Sequence, residues 1–232
     1  MPLSKSKGNM YPWVTHTHTH LGGQCSHKCG YCYVQATRRR FGHDRYAGPL
    51  RFIEDELAIP YGEGRIIFVE HCNDFLAADV PDDWIHAILK HCTDYPENQY
   101  VFQTKNPARY QAFLADFPPN RLLGSTIETT DADVAKQVSA APLPKARYKA
   151  LAELVGERRF VTIEPILGGD MRLLARWVAD IAPDFVNIGA DSKGSGLDEP
   201  TAADVCCLLE YLAHVEIRQK KNLQRILKHP IP

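Results

Sequence analysis

Short apolar runs rich in β-branched residues alternate along the chain with longer segments whose apolar residues recur at helical spacing. The runs predict six strands, at residues 14–21, 66–71, 100–104, 122–127, 160–164 and 185–189. The segments predict six helices, at residues 49–59, 82–92, 107–117, 144–155, 171–181 and 202–213. Strands that alternate with helices form parallel βαβ units, so the pattern predicts an α/β fold.

The ends of these predicted strands are polar. Parallel strands form either an open doubly wound sheet or an incomplete barrel of six βα units. In both, functional groups collect at the carboxyl ends of the strands. Acidic, basic or thiol side chains stand at or just after most of these ends, as in Glu70-His71-Cys72 and Thr104-Lys105. We therefore expect a shared site there, the alternative being ordinary capping of the helices that follow.

The composition is that of an ordinary globular protein. The chain has 232 residues, 44% of them hydrophobic, which suits a single domain over residues 1–232. Its 27 Lys and Arg residues nearly balance 28 Asp and Glu residues, so a strongly basic nucleic-acid binder is not indicated. No apolar run approaches the roughly 20 residues of a membrane helix, and no leader pattern occurs. We expect a cytoplasmic protein with no membrane partner.

Three of the seven cysteines lie within eight residues, at Cys25, Cys29 and Cys32. Three thiolates at this Cys-x3-Cys-x2-Cys spacing can hold three irons of a cubane cluster and leave the fourth iron open. Glycines at 22, 23 and 30 let the backbone bend around a bulky inorganic core. The segment 22–33 is therefore predicted to be a cluster loop for a [4Fe–4S] cluster.

Zinc is the alternative occupant of this loop. A structural zinc site closes with four ligands, and His27 or His43 is available as the fourth. Only Cys29 and Cys32 make a Cys-x2-Cys pair, and a ferredoxin cluster would want a further cysteine nearby. The spacing favours an open [4Fe–4S] cluster, and a non-catalytic zinc or iron–sulfur binding module is the second class of function.

The segment Cys25-Ser26-His27-Lys28-Cys29-Gly30-Tyr31-Cys32 resembles the cluster motif of the radical S-adenosylmethionine (SAM) superfamily. The resemblance implies an α/β fold of the partial (βα)6 TIM-type barrel, with the loop after the first strand. Residues 163–168 and 186–190 are similar to small, phage-associated radical SAM proteins of undefined substrate. Cys29-Gly30-Tyr31-Cys32-Tyr33 is also similar to the loop of spore photoproduct lyases, so a DNA-repair lyase is an alternative. The family's glycine-glycine-glutamate motif is replaced here by residues 70–74.

This resemblance implies a reaction. SAM binds the open iron, and a one-electron reductant such as a flavodoxin or ferredoxin supplies an electron. Reductive cleavage of SAM then gives methionine and a 5′-deoxyadenosyl radical, which abstracts hydrogen from an unidentified substrate. Cys72 is predicted to return a hydrogen atom to the substrate radical or, alternatively, to pack beneath SAM. The residues expected to contact SAM are Tyr31, Lys105, Ser125, Glu128, Glu164 and Gly189.

Two further patterns bear on ligands. His16, His18 and His20 would share one face of a strand, which suits either a second metal or a polar strand face. Basic runs at 38–40 and 219–225 are either solvated or contact phosphates. Six strands leave a barrel open on one side, and the short C-terminal extension 214–232 offers little to cover it. We expect a macromolecular substrate, with nucleic acid ahead of protein.

Overall fold

The computed structural model describes residues 3–7, 10–42 and 44–228. His43 and the last four residues of the predicted extension lie outside the described residues. The chain forms two compact units, one made of Met1–Lys28 and Cys32–Leu123 and the other of Cys29–Tyr31 and Gly124–Pro232. Among the described residues, every helix is too short or too polar to cross a lipid bilayer.

The first unit alternates strands with helices. Its elements in chain order are β1 Ser4–Lys5, β2 His16–His18, β3 Leu21–Gly22, α1 Tyr33–Phe41, β4 Arg51–Phe52, β5 Ile66–Val69, α2 Asp82–Thr93, β6 Gln99–Thr104, α3 Tyr110–Phe113 and the beginning of β7 Arg121–Thr126. The strand order is β1-β2-β5-β6-β7, and β2, β5 and β6 pair in parallel. β1 pairs antiparallel with β2, and β3 with β4.

The core of the first unit follows from apolar periodicity. Ile67 and Val69 are fully buried on β5, a strand rich in β-branched residues. Along α2, Ile85, Ile88 and Leu89 recur at three- and four-residue spacing and are also fully buried. The helix predicted at 82–92 is therefore confirmed as the element that covers this part of the sheet.

The second unit continues the alternation. It contains the end of β7 and then α4 Ala132–Val138, α5 Pro144–Ala152, β8 Arg159–Ile163, α6 Met171–Ile181, β9 Phe185–Ile188, α7 Ala202–Tyr211, β10 Glu216–Gln219 and α8 Gln224–Lys228. The strand order is β7-β8-β9-β10, with β8, β9 and β10 parallel. Asp170 caps α6 by accepting from two backbone N–H groups, and Thr201 and Asp204 form a capping box on α7.

Parallel strands that alternate with helices confirm the predicted α/β class. The predicted helix at 49–59 is wrong, because Arg51 and Phe52 pair with Gly22 and Leu21 as antiparallel strands. Only a short 3₁₀ helix, Glu54–Ala58, follows. Backbone pairing with a distant segment overrides the local pattern here. The first strand is also shorter than predicted, and the single domain over residues 1–232 stays a prediction.

Candidate functional site

The cysteine loop begins directly after β3 and ends where Cys32 caps α1. Cys25, Cys29 and Cys32 are half-buried cysteines. Gly23 is at φ +80°, and a Cβ there would lie 2.0 Å from the carbonyl oxygen of Pro49. Only glycine fits this position, because both the backbone conformation and the close approach exclude a side chain. The predicted tight bend at the entrance to the loop is thus present.

A buried pair in the first unit fixes the middle of this loop. The Nε2 of His27 lies 2.9 Å from Oδ2 of Asp74. Asp74 also accepts from the Thr104 hydroxyl at 2.7 Å and from the backbone N–H of Lys105 at 2.7 Å. Burial opposes the charge on Asp74, but these hydrogen bonds, with that from His27 first, hold the pKa of Asp74 below its usual range. Asp74 therefore connects the loop to the end of β6.

The predicted hydrogen donor, Cys72, lies among tyrosines of the first unit. The hydroxyl of Tyr33 is 3.5 Å from its Sγ, and Tyr46 is a second hydrogen-bond partner. The Tyr33 hydroxyl also donates to the carbonyl of His71 at 2.6 Å. Burial raises the pKa of Cys72 above its ordinary value, although the two tyrosines act in the opposite direction. At neutral pH Cys72 is therefore a protonated thiol.

In the second unit, the segment Cys29–Tyr31 is held by three contacts. Cys29 Sγ lies 3.2 Å from the hydroxyl of Ser139, and the N–H of Gly30 donates to the carbonyl of Val138 at 2.8 Å. The hydroxyl of Tyr31 donates to Oε1 of Glu128 at 3.0 Å. The central part of the cysteine loop is thus bound to α4 and to the residues after β7.

A buried ion pair supports Tyr31. Arg147, from α5, donates to Oε2 of Glu128 at 2.7 Å and to Oε1 at 3.0 Å, and both side chains are at most 1% exposed. Burial, followed by the charge of Glu128, raises the pKa of Tyr31 well above its usual range. Arg147 was not among the residues predicted from the sequence, because a single arginine in a helix gives no indication that it pairs with Glu128.

Three other predicted SAM contacts also lie in the second unit. Ser125 is fully buried on β7. Glu164, after β8, forms an ion pair with Lys220 at 2.9 Å. A Cβ on Gly189 would lie 3.0 Å from the carboxyl carbon of Glu164. The structure therefore brings Glu164 and Gly189 together after the ends of β8 and β9. Lys105 lies in the first unit, where its N–H binds Asp74.

The alternating histidines separate in the structure. His16 is half-buried and bonds to Thr15, whereas His18 and His20 are buried with ring centroids 4.4 Å apart. Burial, in each case the largest cause, lowers the pKa of His18 to about 4, that of His20 to about 3 and that of His91 to about 4. Regular strand β2 covers His16–His18 and His20 lies beyond its end, so the group of converging buried rings contains His18 and His20 but not His16.

The two basic runs have different surroundings. Arg39 and Arg40 are exposed in the last turn of α1, where positive charge also complements the helix dipole. In the second run Lys220 pairs with Glu164, and Arg225 pairs with Glu199 at 2.7 Å. Two residues of the second run thus form ion pairs within the protein, and Arg39 and Arg40 of the first run are exposed.

Comparisons with known proteins agree with this fold. A family model described as "Protein of unknown function (DUF5131)" matches residues 10–196. No curated protein matches the chain. The structure is similar to a single-residue mutant of spore photoproduct lyase, with TM-score 0.66, 12% identity and coverage of 94% of this chain and 80% of that chain.

Two ligand-bound structures are also similar. One is a spore photoproduct lyase double mutant with bound AdoMet and dinucleoside spore photoproduct, with TM-score 0.57, 15% identity and coverage of 90% of this chain and 64% of that chain. The other is Streptococcus suis SuiB bound to S-adenosylmethionine, with TM-score 0.59, 12% identity and coverage of 90% and 51%. The chain therefore spans less than two thirds of each of these two ligand-bound chains. These radical SAM enzymes confirm the predicted fold class, an α/β partial barrel.

Proposed function

We propose that this chain, which belongs to the family described as "Protein of unknown function (DUF5131)", is a radical SAM enzyme. It cleaves S-adenosylmethionine reductively and uses the resulting radical to abstract hydrogen from a substrate. The observation that carries this proposal is the cluster-type spacing of Cys25, Cys29 and Cys32 in a chain whose fold matches radical SAM enzymes.

The donor set fits a [4Fe–4S] cluster. The three cysteines have partial solvent access, which is what insertion of a cluster into the folded chain requires. Thiolates are the ligands that iron–sulfur clusters prefer. When bound, the cluster supplies the electron that breaks the carbon–sulfur bond of SAM, giving methionine and a 5′-deoxyadenosyl radical. A flavodoxin or ferredoxin is the proposed source of that electron.

The residues of the chain hold SAM and exclude water. We assign Tyr31 and Gly189 to the adenine, Ser125 to the ribose and Lys105 to the carboxylate of SAM, with Glu164 beside Gly189. Glu128 is assigned to the ribose as well. Since Arg147 and Tyr31 already bind both of its oxygens, Glu128 also positions the ring of Tyr31 through the hydroxyl. Such fixed polar groups orient a cofactor at no cost of reorganisation during the reaction.

Cys72 is the proposed source of a returning hydrogen atom. Transfer of the hydrogen atom breaks the S–H bond and leaves a thiyl radical on Cys72, which one electron from the reductant and a proton return to the thiol. The protonated thiol is the form that burial favours. The hydroxyls of Tyr33 and Tyr46 hold the sulfur in one place. This arrangement supports a donor role over simple packing, because a filling side chain does not require two hydrogen-bond partners.

The pH dependence of Cys72 alkylation tests its protonation state. In the cluster-free protein, the rate of reaction with iodoacetamide is expected to rise with pH through a midpoint above the ordinary value of 9.0, because burial disfavours the thiolate. Tyr46→Phe removes a hydrogen bond that stabilises the thiolate, so the midpoint should move higher still. Peptide mass spectrometry measures this rate, with exposed Cys206 as the internal reference. A midpoint at or below about 8 would show that Cys72 is an activated thiolate.

A nucleic acid is the proposed substrate class. The support is the exposed pair Arg39 and Arg40 in the last turn of α1, the helix that follows the cysteine loop, since guanidinium groups bind phosphates well. Oligonucleotides of DNA or RNA should then stimulate SAM cleavage, and the effect should weaken as salt is raised. Stimulation by a small metabolite but by neither polymer would reject this substrate class while leaving the enzyme class intact.

Metal content tests the enzyme class itself. After anaerobic reconstitution with iron and sulfide, the protein is expected to be brown and to hold about four irons and four sulfides per chain in its cysteine loop. Iron, sulfide and zinc are measured on the same sample together with the visible spectrum. A colourless protein with zinc bound to thiolates would support the non-catalytic zinc module instead.

A further inference from the structure

Three buried imidazoles converge in the first unit, apart from the cysteine loop. His18 lies at the end of β2, His20 follows two residues later, and His91 comes from α2. One ring nitrogen of each lies within 4.8 Å of the other two, and all three residues are at most 6% exposed. His20 Nε2 and His91 Nδ1 are the closest pair, at 2.8 Å.

The opposite nitrogen of each ring is anchored by an acceptor. His18 Nε2 lies 2.8 Å from Oε2 of Glu56, and His20 Nδ1 lies 2.6 Å from Oε1 of Glu70. His91 Nε2 lies 3.0 Å from the carbonyl oxygen of Ile59. A carbonyl only accepts, so His91 Nε2 carries its proton and His91 Nδ1 carries a lone pair.

The same assignment holds for His20 in the carboxylate form of Glu70. Burial raises the pKa of Glu70 to about 7, whereas the backbone N–H groups of His20, at 2.6 Å, and of Leu21, at 3.3 Å, donate to it and stabilise the carboxylate. A carboxylate accepts from Nδ1, so Nε2 of His20 points its lone pair at Nδ1 of His91. Two lone pairs 2.8 Å apart repel each other unless a positive charge lies between them.

One further group borders this space. The hydroxyl of Tyr61 is 2.7 Å from Nδ1 of His18 and 3.3 Å from Nε2 of His20. It has one proton to offer to three inward-facing nitrogens. The inner surface of the cluster therefore has more acceptors than donors, and a bound cation resolves that imbalance.

We propose that His18, His20 and His91 bind a divalent transition-metal ion, with zinc as the first choice and the Tyr61 oxygen as the fourth ligand. Imidazole suits zinc and its neighbours, whereas magnesium and calcium prefer oxygen ligands. Metal-binding histidines characteristically donate their outer N–H to a carboxylate or a backbone carbonyl, as all three rings do here. The carboxylates of Glu56 and Glu70 supply negative charge that compensates the ion.

The position of the cluster indicates what the metal does. Its three histidines connect the end of β2 with α2, and their partners Glu56 and Ile59 connect the segment of the short 3₁₀ helix to both. All of these groups except Glu56 are nearly or fully buried. The proposed metal ligands include no cysteine. The ion is therefore a structural site that fixes three segments of the first unit, independent of SAM cleavage.

The test uses the full chain with Cys25, Cys29 and Cys32 replaced by alanine, so that thiolates of the loop cannot bind the zinc. Purified from zinc-supplemented medium, this variant is expected to hold about one zinc per chain, with X-ray absorption showing nitrogen and oxygen ligands at about 2.0–2.1 Å and no sulfur. His20→Gln and His91→Gln, each added to it, should lower the zinc content at least tenfold. His16→Gln, a change at a histidine of the same strand outside the cluster, should leave it unchanged.

The melting temperature is a second measurement, which tests the proposal even if the glutamine variants fold poorly. After removal of zinc by a chelator, the chain with the three alanines should melt at a temperature at least about 5 °C lower, and zinc but not magnesium should restore it. A zinc-free chain whose melting temperature does not respond to zinc, cobalt or nickel would overturn the proposal. Retention of zinc by both glutamine variants would overturn it as well. Because no cluster is present in this chain, neither result depends on the radical SAM assignment.

Discussion

Replacement of Cys29 by alanine is expected to leave the protein without its iron and without SAM cleavage. The proposed cluster needs three thiolates at the observed spacing, and two thiolates do not define a site for a cubane. The loop itself should persist, because Gly30 and Tyr31 keep their hydrogen bonds to Val138 and Glu128. Iron content should fall from about four per chain to background, and 5′-deoxyadenosine should become undetectable by chromatography.

The matched control is Cys206→Ala. Cys206 is an exposed cysteine on α7, outside the cysteine loop, so its loss should change neither iron content nor 5′-deoxyadenosine formation. Circular dichroism on both variants shows whether the fold is retained. Full iron content in the folded Cys29→Ala variant would remove Cys29 from the cluster and, with it, the assignment of the loop.

Glu128→Gln is expected to destabilise the protein by about 3–5 kcal/mol, because the buried guanidinium of Arg147 loses the charge that compensates it. Glutamine keeps the size of the side chain, so little of this loss comes from packing. Urea denaturation of the cluster-free protein measures it, as a lower midpoint at unchanged slope. Asp184→Asn is the control, because its ion pair with Arg158 is exposed and should contribute less than about 1 kcal/mol. A loss of that same small size for Glu128→Gln would contradict the buried-pair argument.

A double variant separates the two roles assigned to Glu128. Glu128→Gln with Arg147→Met removes both charges together and should recover most of the stability, since no unpaired charge remains. If Glu128 also serves SAM, through the ribose or through Tyr31, the affinity for SAM should stay low in this stable variant. Unchanged affinity for SAM would show that Glu128 contributes to stability but not to SAM binding.

The cysteine loop and the α/β alternation could be predicted because their signals are local. Spacing of Cys25, Cys29 and Cys32 is a property of eight consecutive residues, and the buried positions of α2 and β5 repeat within one element. The missed elements lacked such a signal. The helix α1 carries a run of three arginines, and β10 has one apolar residue in four. Their structure depends on partners far away in the chain.

Long-range pairing explains the remaining differences. The local pattern of residues 49–59 predicts a helix, but Phe52 pairs with Leu21, about thirty residues earlier. A local pattern gives no indication of such a distant pairing. Arg147 and His91 were missed for the same reason, because each is an ordinary member of a helix until its buried partner is known. Sequence patterns thus located the cysteine loop, whereas the buried charges of Glu128 and Arg147 beside it required the structure.

SAM cleavage by the wild-type protein is the most direct test of the central claim. The anaerobically reconstituted chain is reduced with dithionite and given S-adenosylmethionine, and 5′-deoxyadenosine and methionine are measured by liquid chromatography with mass spectrometry. Both products are expected to accumulate in equal amounts, slowly even without substrate, and neither should form when the reductant is omitted or Cys29 is replaced by alanine. A chain with a full complement of iron and sulfide that binds SAM but forms neither product under these conditions would contradict the central claim.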